Sequence, residues 1–247
     1  MTKKEIAFLR SLHQKKFRQM YGKFLVEGDK LVRELLATTF HADTIYSVEG
    51  WKPPSTSKNT NHQIVKEEEL EKVSTHQHPD KVVAVATIPA QHNEARCLPD
   101  ELYLACDGLN DPGNAGTIIR LADWFGIRHI FFSNGSVDVY NPKTVNAAKG
   151  SLFRVNCHYV SLDEWFRTHP ELPVYGAVIN GENVYHSKLS GGGFILIGNE
   201  ANGISEKVLP YIHHRVSIPS FGKAESLNAA VAAGIIISEF KRGGFID

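Results

Sequence analysis

Three short segments in the second half of the sequence concentrate the polar residues and glycines that could bind a ligand and act on it. They are DPGNAGTIIR (111–120), IGNEANG (197–203) and IPSFGKAESLN (218–228). Each follows a run of apolar and β-branched residues that predicts a buried strand. Because ligands in α/β proteins bind beyond the carboxyl ends of parallel strands, we expect these segments to line a crevice.

The first segment offers an amide and a cation. Asn114 is predicted to cap the helix 114–126, and Arg120 lies nearly two turns into that helix. A helix cap and a surface ion pair would explain both residues without any ligand. However, Arg120 stands between Ile118–Ile119 and Leu121–Ala122, and an arginine in an apolar setting often faces a pocket and binds an anion such as phosphate.

The other two segments offer a carboxylate, a hydroxyl and close backbone approaches. Gly198 ends a predicted buried strand and permits a ligand to approach the backbone closely. Glu200 is either an active-site carboxylate or a residue that starts a helix. Ser226 opens the predicted helix 226–240 and would by itself be interpreted as its N-cap. That helix is rich in alanine, so we expect it to pack closely against its neighbours.

Other catalytic motifs are missing. Lys149–Ser151 lacks the order of a phosphate-binding P-loop, and neither a GxSxG elbow nor a GxGxxG dinucleotide fingerprint is present. Asp107, Asp111 and Glu200 could suggest a magnesium site, but no regular spacing supports one. His213–His214 and the histidines of 76–78 are more typical of exposed turns than of metal ligands. We therefore expect no metal.

The alternation of strands and helices predicts the fold class. In the second half, helices are also predicted at 141–149, 161–168 and 205–211, and strands at 101–106, 128–132, 154–158, 173–179, 194–198 and 214–218. Such alternation indicates an α/β domain with a mostly parallel sheet and helices on both faces. We predict this domain over 101–247, a Pro-flanked linker over 91–100, and a small α/β unit over 1–90.

Composition alone does not decide where the protein is located in the cell or whether it binds a charged partner such as nucleic acid. Lys plus Arg number 27 and Asp plus Glu number 27, so only a local basic face could bind nucleic acid. Residues 1–23 supply one, because they are basic and contain a single acid, Glu5. This face could be a solvated helix pair, a transit peptide or a phosphate-contacting patch. The three dispersed cysteines favour reduced thiols in the cytoplasm, and no apolar run is long enough to span a membrane.

Taken together, the three segments resemble the motifs of the SpoU (TrmH-like) family of RNA ribose 2′-O-methyltransferases in the SPOUT superfamily. The family motifs read Asn–x–Gly–x–x–x–Arg, Gly–x–Glu–x–x–Gly and Ile–Pro–x–x–Gly followed by Ser–Leu–Asn. The residues that match them are Asn114, Gly116 and Arg120, then Gly198, Glu200 and Gly203, then Ile218, Pro219, Gly222, Ser226, Leu227 and Asn228.

Two further segments resemble the same family, and three positions depart from it. NPKTVNAAKGSLFRV (141–155) is similar to its intervening segment, and FLVEGDKLVRELL (24–36) is similar to its small L30e-like substrate-binding domain. Ser220, Asn146 and the pair Ala229–Ala230 replace residues that are more frequent there. These departures touch none of the proposed catalytic residues, but they leave the subfamily and its substrate nucleotide open.

The resemblance implies a trefoil-knotted SPOUT methyltransferase domain, a homodimer with its active site near the dimer interface, and S-adenosyl-L-methionine as cofactor. It implies an RNA substrate, ribosomal RNA more than transfer RNA, and an RNA-binding domain over 1–90, so the basic N-terminus is better interpreted as an RNA contact. The implied catalytic residues are Arg120, Asn114, Glu200, Ser226 and Asn228, and the implied cofactor-binding residues are Gly198, Asn199, Ile218 and Leu227. The alternative is a non-catalytic RNA-binding or ribosome-assembly protein with the same fold.

Overall fold

The computed structural model describes residues 1–54, 60–76, 79–90, 97–189 and 191–242. The helices are α1 (Lys3–Ser11), α2 (Lys15–Tyr21), α3 (Asp29–Leu36), α4 (Glu67–Glu71), α5 (Pro112–Trp124), α6 (Pro142–Ala148), α7 (Leu162–Thr168) and α8 (Ala229–Arg242). The strands are β1 (Lys23–Glu27), β2 (Ala42–Ser47), β3 (Asn61–Ile64), β4 (Val82–Thr87), β5 (Leu102–Cys106), β6 (His129–Ser133), β7 (Asn156–Val160), β8 (Val174–Asn183), β9 (Gly193–Ile197) and β10 (His214–Ser217). Short 3₁₀ helices cover Lys149–Phe153 and Leu209–Tyr211.

The chain divides into two compact units, each with its own sheet. The first unit consists of Met1–Gln91 with Asp138–Arg154, and the second consists of His92–Val137 with Val155–Asp247. The domain bounds that the sequence predicts, 1–90, 91–100 and 101–247, stay a prediction. Residues 91–96 of the predicted linker and 55–59 of the predicted first unit lie outside the described residues, as does His78.

The first unit is built on a four-stranded mixed sheet in the order β1-β4-β2-β3. Strand β4 pairs antiparallel with both β1 and β2, and β2 pairs parallel with β3. Helix α1 packs on one face of this sheet. Leu9 and the C-cap residue Leu12 are fully buried there against strand residues such as Leu25. Helix α1 begins with a capping box: the Thr2 hydroxyl oxygen accepts from the Glu5 N–H, and the Glu5 carboxylate accepts from the Thr2 N–H.

The segment Asp138–Arg154 belongs to this first unit through aromatic and ionic contacts. The ring of Tyr140 lies 4.7 Å from that of Phe24, and the ring of Phe153 lies 5.2 Å from that of Phe40. The largely buried ion pair between Arg18 and Asp138 adds to these contacts. The Arg18 guanidinium bonds Asp138 Oδ2 through Nε at 2.8 Å and through Nη2 at 2.6 Å.

The second unit is a six-stranded sheet in the order β10-β8-β9-β5-β6-β7, and every neighbouring pair in it is parallel. The central strands are apolar throughout: all five residues of β5 and of β9 are buried, as expected for a parallel sheet covered on both faces. Phe131, Phe194 and Leu196 form the centre of one core, on which α7 packs through Leu162 and Phe166. The predicted α/β class with a mostly parallel sheet is confirmed.

Two helices of the second unit differ from the prediction. The predicted helix 205–211 is wrong, because only the 3₁₀ helix Leu209–Tyr211 forms there. Pro210 has no N–H to bond the preceding turn, so an α-helix cannot continue through it. The predicted helix 226–240 begins three residues later, at Ala229. In the described part of the chain no helix combines the length and apolar character needed to cross a membrane.

The buried ion pair generates a stability prediction. Arg18 is 1% exposed and also donates to the Leu12 carbonyl at 2.8 Å, so Arg18→Ala leaves Asp138 and that carbonyl without their partner. We expect Arg18→Ala to lower the free energy of unfolding by about 3–5 kcal/mol. The control Lys23→Ala removes the more exposed ion pair to Asp43 and should cost about 1 kcal/mol or less. Urea titrations that give equal losses for the two variants would contradict the prediction.

Candidate functional site

The three motif segments all follow carboxyl ends of strands in the same parallel sheet. The loop 107–111 joins β5 to α5 and leads into the first segment, the second segment (197–203) follows β9, and the third segment (218–228) joins β10 to α8. The β5–β9 pairing continues one residue beyond the strands, because the Asp107 N–H donates to the Ile197 carbonyl at 2.8 Å. The first and second segments therefore leave the sheet side by side.

A chain of side-chain hydrogen bonds joins the three segments. Asn114 Nδ2 donates to Glu200 Oε1 at 3.0 Å, and Asn228 Nδ2 donates to Asn114 Oδ1 at 2.8 Å. The backbone N–H groups of Asn110 and Asp111 donate to the two Glu200 oxygens at 3.3 and 3.2 Å. Three of the five residues predicted to be catalytic thus meet in one network, although they are far apart in the sequence.

The predicted helix cap at Asn114 is wrong, and the correction explains how Asn114 can join the network. The N-cap of α5 is Asp111, whose Oδ1 accepts from the Asn114 N–H at 2.7 Å. Pro112 occupies the first turn, where its missing N–H costs nothing. Because Asp111 caps the helix, the Asn114 side chain is free to bond Glu200 and Asn228. The Asp–Pro pair just before the helix was the sequence signal for this cap.

The chemistry of the groups gives the network one direction. The Glu200 carboxylate can only accept hydrogen bonds, so Asn114 must turn its NH₂ group toward it and its oxygen toward Asn228. Asn228 must then donate with its NH₂ group, and its oxygen accepts from the Ala230 and Val231 N–H groups at 3.0 and 3.3 Å. Asn228 therefore caps α8 and holds Asn114 at the same time.

Glu200 is stabilised as an anion. Burial is the largest single influence and raises the pKa of Glu200, because desolvation disfavours the charged form. Hydrogen bonds from the Asn114 side chain and from the backbone N–H groups of Glu200, Asn110 and Asp111 act in the opposite direction. Together they outweigh burial, so the pKa of Glu200 lies below its ordinary value. A carboxylate committed in this way positions its neighbours and is a weak base.

The second segment folds into a tight turn that requires its glycines. A Cβ on Gly198 would lie 2.4 Å from the Gly203 carbonyl carbon, so no other residue can occupy this position. Asn199 and Gly203 exchange backbone hydrogen bonds at 2.9 and 3.0 Å. The Asn199 side chain donates to the Gly108 carbonyl at 2.6 Å and accepts from the Ala201 and Asn202 N–H groups. Asn199 thereby ties the turn to the first segment.

Asp107 is a site residue whose role the sequence did not reveal. Its side chain is buried, and Oδ2 accepts from the Ser205 N–H at 2.8 Å, which holds the chain that follows the turn. Asp107 and Asp111 are thus acceptors for backbone N–H groups, which explains both acids without a magnesium ion. Within the described ranges, no three histidine, cysteine, aspartate or glutamate residues are grouped so that they could hold a metal ion.

The remaining predicted site residues lie on the surface of the second unit. Arg120 and Ser226 are exposed, and neither makes a hydrogen bond or ion pair with any residue that the structure describes. Ile218 is half-buried, and the Leu227 side chain is 49% exposed. No hydrogen bond or ion pair among the described residues therefore joins Arg120 to the other four residues predicted to be catalytic. An exposed, unpaired guanidinium is available to bind an anion.

Comparison with known proteins identifies related domains in both parts of the chain. Residues 101–238 match the SpoU rRNA Methylase family, and residues 3–84 match the MRM3-like substrate binding domain. The 23S rRNA (guanosine(2553)-2′-O)-methyltransferase RlmP of Bacillus subtilis is 31% identical over 233 residues, which cover 92% of each chain.

Two solved structures share the whole architecture. A TrmH-family protein from Porphyromonas gingivalis has a TM-score of 0.86 at 34% identity and covers 98% of this chain and 99% of its own. The SpoU methyltransferase AviRb from Streptomyces viridochromogenes, solved in complex with the cofactor AdoMet, has a TM-score of 0.87 at 26% identity and covers 99% of both chains.

The network predicts that an isosteric change at Glu200 is disruptive. In Glu200→Gln an NH₂ donor faces the N–H groups of Asn110 and Asp111, which already donate, so at least one bond is lost. We expect the free energy of unfolding to fall by about 1 kcal/mol and the Asn110 and Asp111 amide NMR signals to shift. The control Glu206→Gln, on an exposed acid beyond the turn, should change neither.

Acidification supplies a second readout of the same network. Because the pKa of Glu200 is lowered by folding, its contribution is complete above the ordinary glutamate pKa and is lost as pH falls through the lowered value. The Asn110 and Asp111 signals of the unmodified protein should shift in that acidic range. Signals that do not respond to either change would show that Glu200 does not hold the first segment.

Proposed function

Because the chain belongs to the SpoU rRNA methylase family, we propose that it is an S-adenosyl-L-methionine-dependent RNA methyltransferase that methylates a ribose 2′-hydroxyl in structured RNA. The observation that carries this proposal is the Asn114–Glu200–Asn228 network, which joins one residue from each of the three family motifs. A protein that only bound RNA would have no need to hold these three segments in register. The network therefore favours the enzyme over the non-catalytic alternative.

Ribosomal RNA is the substrate that the comparisons support best. RlmP, which is named as a 23S rRNA methyltransferase, matches this chain through both its parts. The match of residues 3–84 to a substrate-binding domain adds a second surface for a structured RNA. Transfer RNA remains the less favoured substrate. A substrate in the ribosome, together with the free thiols of the three cysteines, supports a cytoplasmic location.

The second and third segments suit S-adenosyl-L-methionine, which supplies the methyl group when bound. We assign Gly198 and Asn199 to the turn beside the cofactor, and Ile218 and Leu227 to the walls around its adenine. An adenine pocket needs apolar walls and a few backbone hydrogen bonds, and the half-buried Ile218 and the half-exposed Leu227 offer such walls. The network bonds both segments to Asn114 on α5 and so fixes the distance between the two sides of this pocket.

Arg120 is the residue to which we assign the RNA. Its exposed guanidinium, unpaired among the described residues, can bind a phosphate and the neighbouring 2′-hydroxyl and align that oxygen with the methyl carbon. The hydroxyl proton passes to an oxygen of the bound phosphate or to water, because the Arg120 guanidinium is already protonated and three donors already bond the Glu200 oxygens. Ser226 is exposed, two residues before the helix cap Asn228, and would orient the ribose.

The connections in the second unit support the trefoil knot of the family. The chain leaves β9 in the centre of the sheet, passes β8 to reach β10 at the edge, and returns so that α8 packs on α5 and β9. Glycines occur where two stretches of backbone come close: a Cβ on Gly181 would lie 2.7 Å from the Val216 carbonyl carbon. This close approach lies at a register shift between the paired strands β8 and β10.

Apolar side chains exposed on the second unit support a homodimer. Helices α5 and α8 pack closely, since a Cβ on Gly234 would lie 3.4 Å from Leu121. On these helices and the loop before α8, large apolar side chains face solvent: Trp124 (83% exposed), Phe221 (99%), Leu227 and Val231. An apolar surface of this kind is typical of a protein–protein interface, and a second copy of the chain would cover it. The active site would then lie near the dimer interface.

The role of Arg120 is tested by separating catalysis from cofactor binding. Arg120→Ala should reduce methyl transfer to unmodified ribosomal RNA by about 100-fold or more, because a positioned cation is lost at the reacting group. Its affinity for S-adenosyl-L-methionine, measured by calorimetry, should stay within about twofold. The control Arg128→Ala, which removes an exposed arginine paired with Glu101, should keep full activity. Full activity of Arg120→Ala would remove the assignment, and an unmodified protein without cofactor affinity would favour the non-catalytic alternative.

The dimer is tested by charging its proposed interface. Trp124→Glu should convert the protein from a dimer to a monomer in light scattering and reduce activity, because the buried apolar surface would then contain an unpaired charge. Ile64→Glu is the matched control, since Ile64 is a 66% exposed apolar residue of the first unit. A monomeric unmodified protein, or a dimeric Trp124→Glu variant, would contradict the proposed interface.

A further inference from the structure

The first two helices present a basic surface without acidic partners. Five cations on α1 and α2 are exposed, and no described residue forms an ion pair or hydrogen bond with any of their side chains: Lys3, Lys4, Arg10, Lys15 and Lys16. Glu5 is the only acid in the first 26 residues, and its carboxylate is occupied by the backbone and hydroxyl of Thr2 in the capping box. The charge of this surface is therefore not neutralised within the described first unit.

Folding of the first unit does not require these cations. The inner face of α1 is Leu9 and Leu12, both fully buried, and the buried cation of α2 is Arg18, which is paired with Asp138. Arg18 thus serves the core, whereas its neighbours Lys15 and Lys16 point to solvent. Helix α2 therefore carries one buried, paired cation and two exposed lysines, and only the lysines are available to bind a partner.

Aromatic rings adjoin this charge. The rings of Phe17 and Tyr21 are stacked with centroids 6.2 Å apart and planes 14° apart, and Phe8 meets Tyr21 edge-on at 5.1 Å. Lys16 Nζ lies 5.9 Å from the centre of the Phe17 ring. Tyr21 is 44% exposed and the neighbouring Met20 is 62% exposed. We name these aromatic residues and the five cations the helix-pair surface.

We propose that the helix-pair surface binds unpaired nucleotides of the RNA substrate, with a base stacked on Tyr21 and phosphates bound by the surrounding cations. This inference rests on the proposed function and extends it to the manner in which the substrate is recognised. Stacking of bases on aromatic rings beside cations is how proteins bind single-stranded nucleic acid. In a duplex the base faces are covered by stacking, so duplex RNA could use only the cations.

An acidic protein segment is the other partner that the charge would suit, and the aromatic geometry favours RNA over it. Phe17 supports Tyr21 from one side as a parallel stack, which leaves the Tyr21 ring supported and partly open to solvent. A nucleotide of any identity can stack its planar base on such a ring, whereas an acidic segment would interact only with the cations. This difference makes Tyr21 the residue on which the test depends.

The ring is tested with three variants and two labelled probes, a short single-stranded RNA and the duplex of the same length. Tyr21→Ala should weaken binding of the single strand roughly 5-fold to 100-fold, the range measured for loss of one base–aromatic stack, and leave duplex binding within about twofold. Tyr21→Phe keeps the ring and should bind as the unmodified protein does. Met20→Ala, the matched exposed neighbour, should also leave affinity unchanged.

The cations are tested by salt dependence, which does not depend on the ring. Lys15→Gln combined with Lys16→Gln should lower the slope of log Kd against log salt by about 0.7 for each phosphate of a single strand that these lysines bind. Lys30→Gln, an exposed lysine on α3, is the control and should leave the slope unchanged. An unchanged slope in the double variant would overturn the assignment of the phosphates to this surface.

Further measurements separate this inference from the proposed function. In Tyr21→Ala and in the Lys15→Gln, Lys16→Gln double variant, the affinity for S-adenosyl-L-methionine and the kcat at saturating unmodified ribosomal RNA should stay unchanged, while KM for that RNA rises; in the control variants all three quantities should stay unchanged. If Tyr21→Ala methylates with an unchanged KM, or changes the oligomeric state instead of RNA affinity, the helix-pair surface is not an RNA site although the enzyme remains a methyltransferase. If the unmodified protein transfers no methyl group but the Tyr21 variants lose RNA binding as described, the proposed function fails and this inference stands.

Discussion

The carboxylate of Glu200 is the acceptor on which the site of the second unit depends. It takes hydrogen bonds from the Asn110 and Asp111 backbone and from the Asn114 side chain, and Asn114 in turn accepts from Asn228. Because a carboxylate can only accept, the direction of every later hydrogen bond follows from it, up to the two N–H groups at the start of α8. The same bonds keep Glu200 ionised by lowering its pKa. One charged group thus joins three loops that leave separate strands.

The parallel sheet is what makes this arrangement possible. Strands β5, β9 and β10 end at the same edge, so the loops that follow them can meet although Asp107 and Asn228 are 121 positions apart in the sequence. Apolar residues occupy the strands, and the polar residues begin where the strands stop. The reactive group that we assign to the RNA, Arg120, lies outside the network, where it stays free to bind an anion. Hydrogen-bonded acceptors within the network and a cation outside it are suited to a site that must hold one ligand and admit another.

In the first unit, a buried ion pair has a comparable organising role. Arg18 and Asp138 come from distant parts of the sequence, and the two hydrogen bonds from the Arg18 guanidinium to Asp138 Oδ2 hold α2 against the segment Asp138–Arg154. The neighbouring cations of α1 and α2 remain exposed, so the same helix pair serves both the core and a charged surface. This division follows from geometry, because a seven-residue helix presents different positions to the core and to solvent.

Local patterns in the sequence determined the α/β class, the strands of the parallel sheet and the three loops that carry the polar residues, because burial and turn chemistry act between near neighbours. They also determined which side chains could do chemistry: the resemblance of the motifs singled out Asn114, Glu200 and Asn228, which the structure brings into contact. The tertiary structure alone decided which partner each side chain took. Asp111 rather than Asn114 caps α5, Pro210 ends the helix predicted over 205–211, and Asp138 neutralises one arginine of α2 while the lysines of that helix stay exposed. Hydrogen bonds and ion pairs between distant segments depend on distance and direction in space, and the order of residues along the chain specifies these only after the sheet has formed.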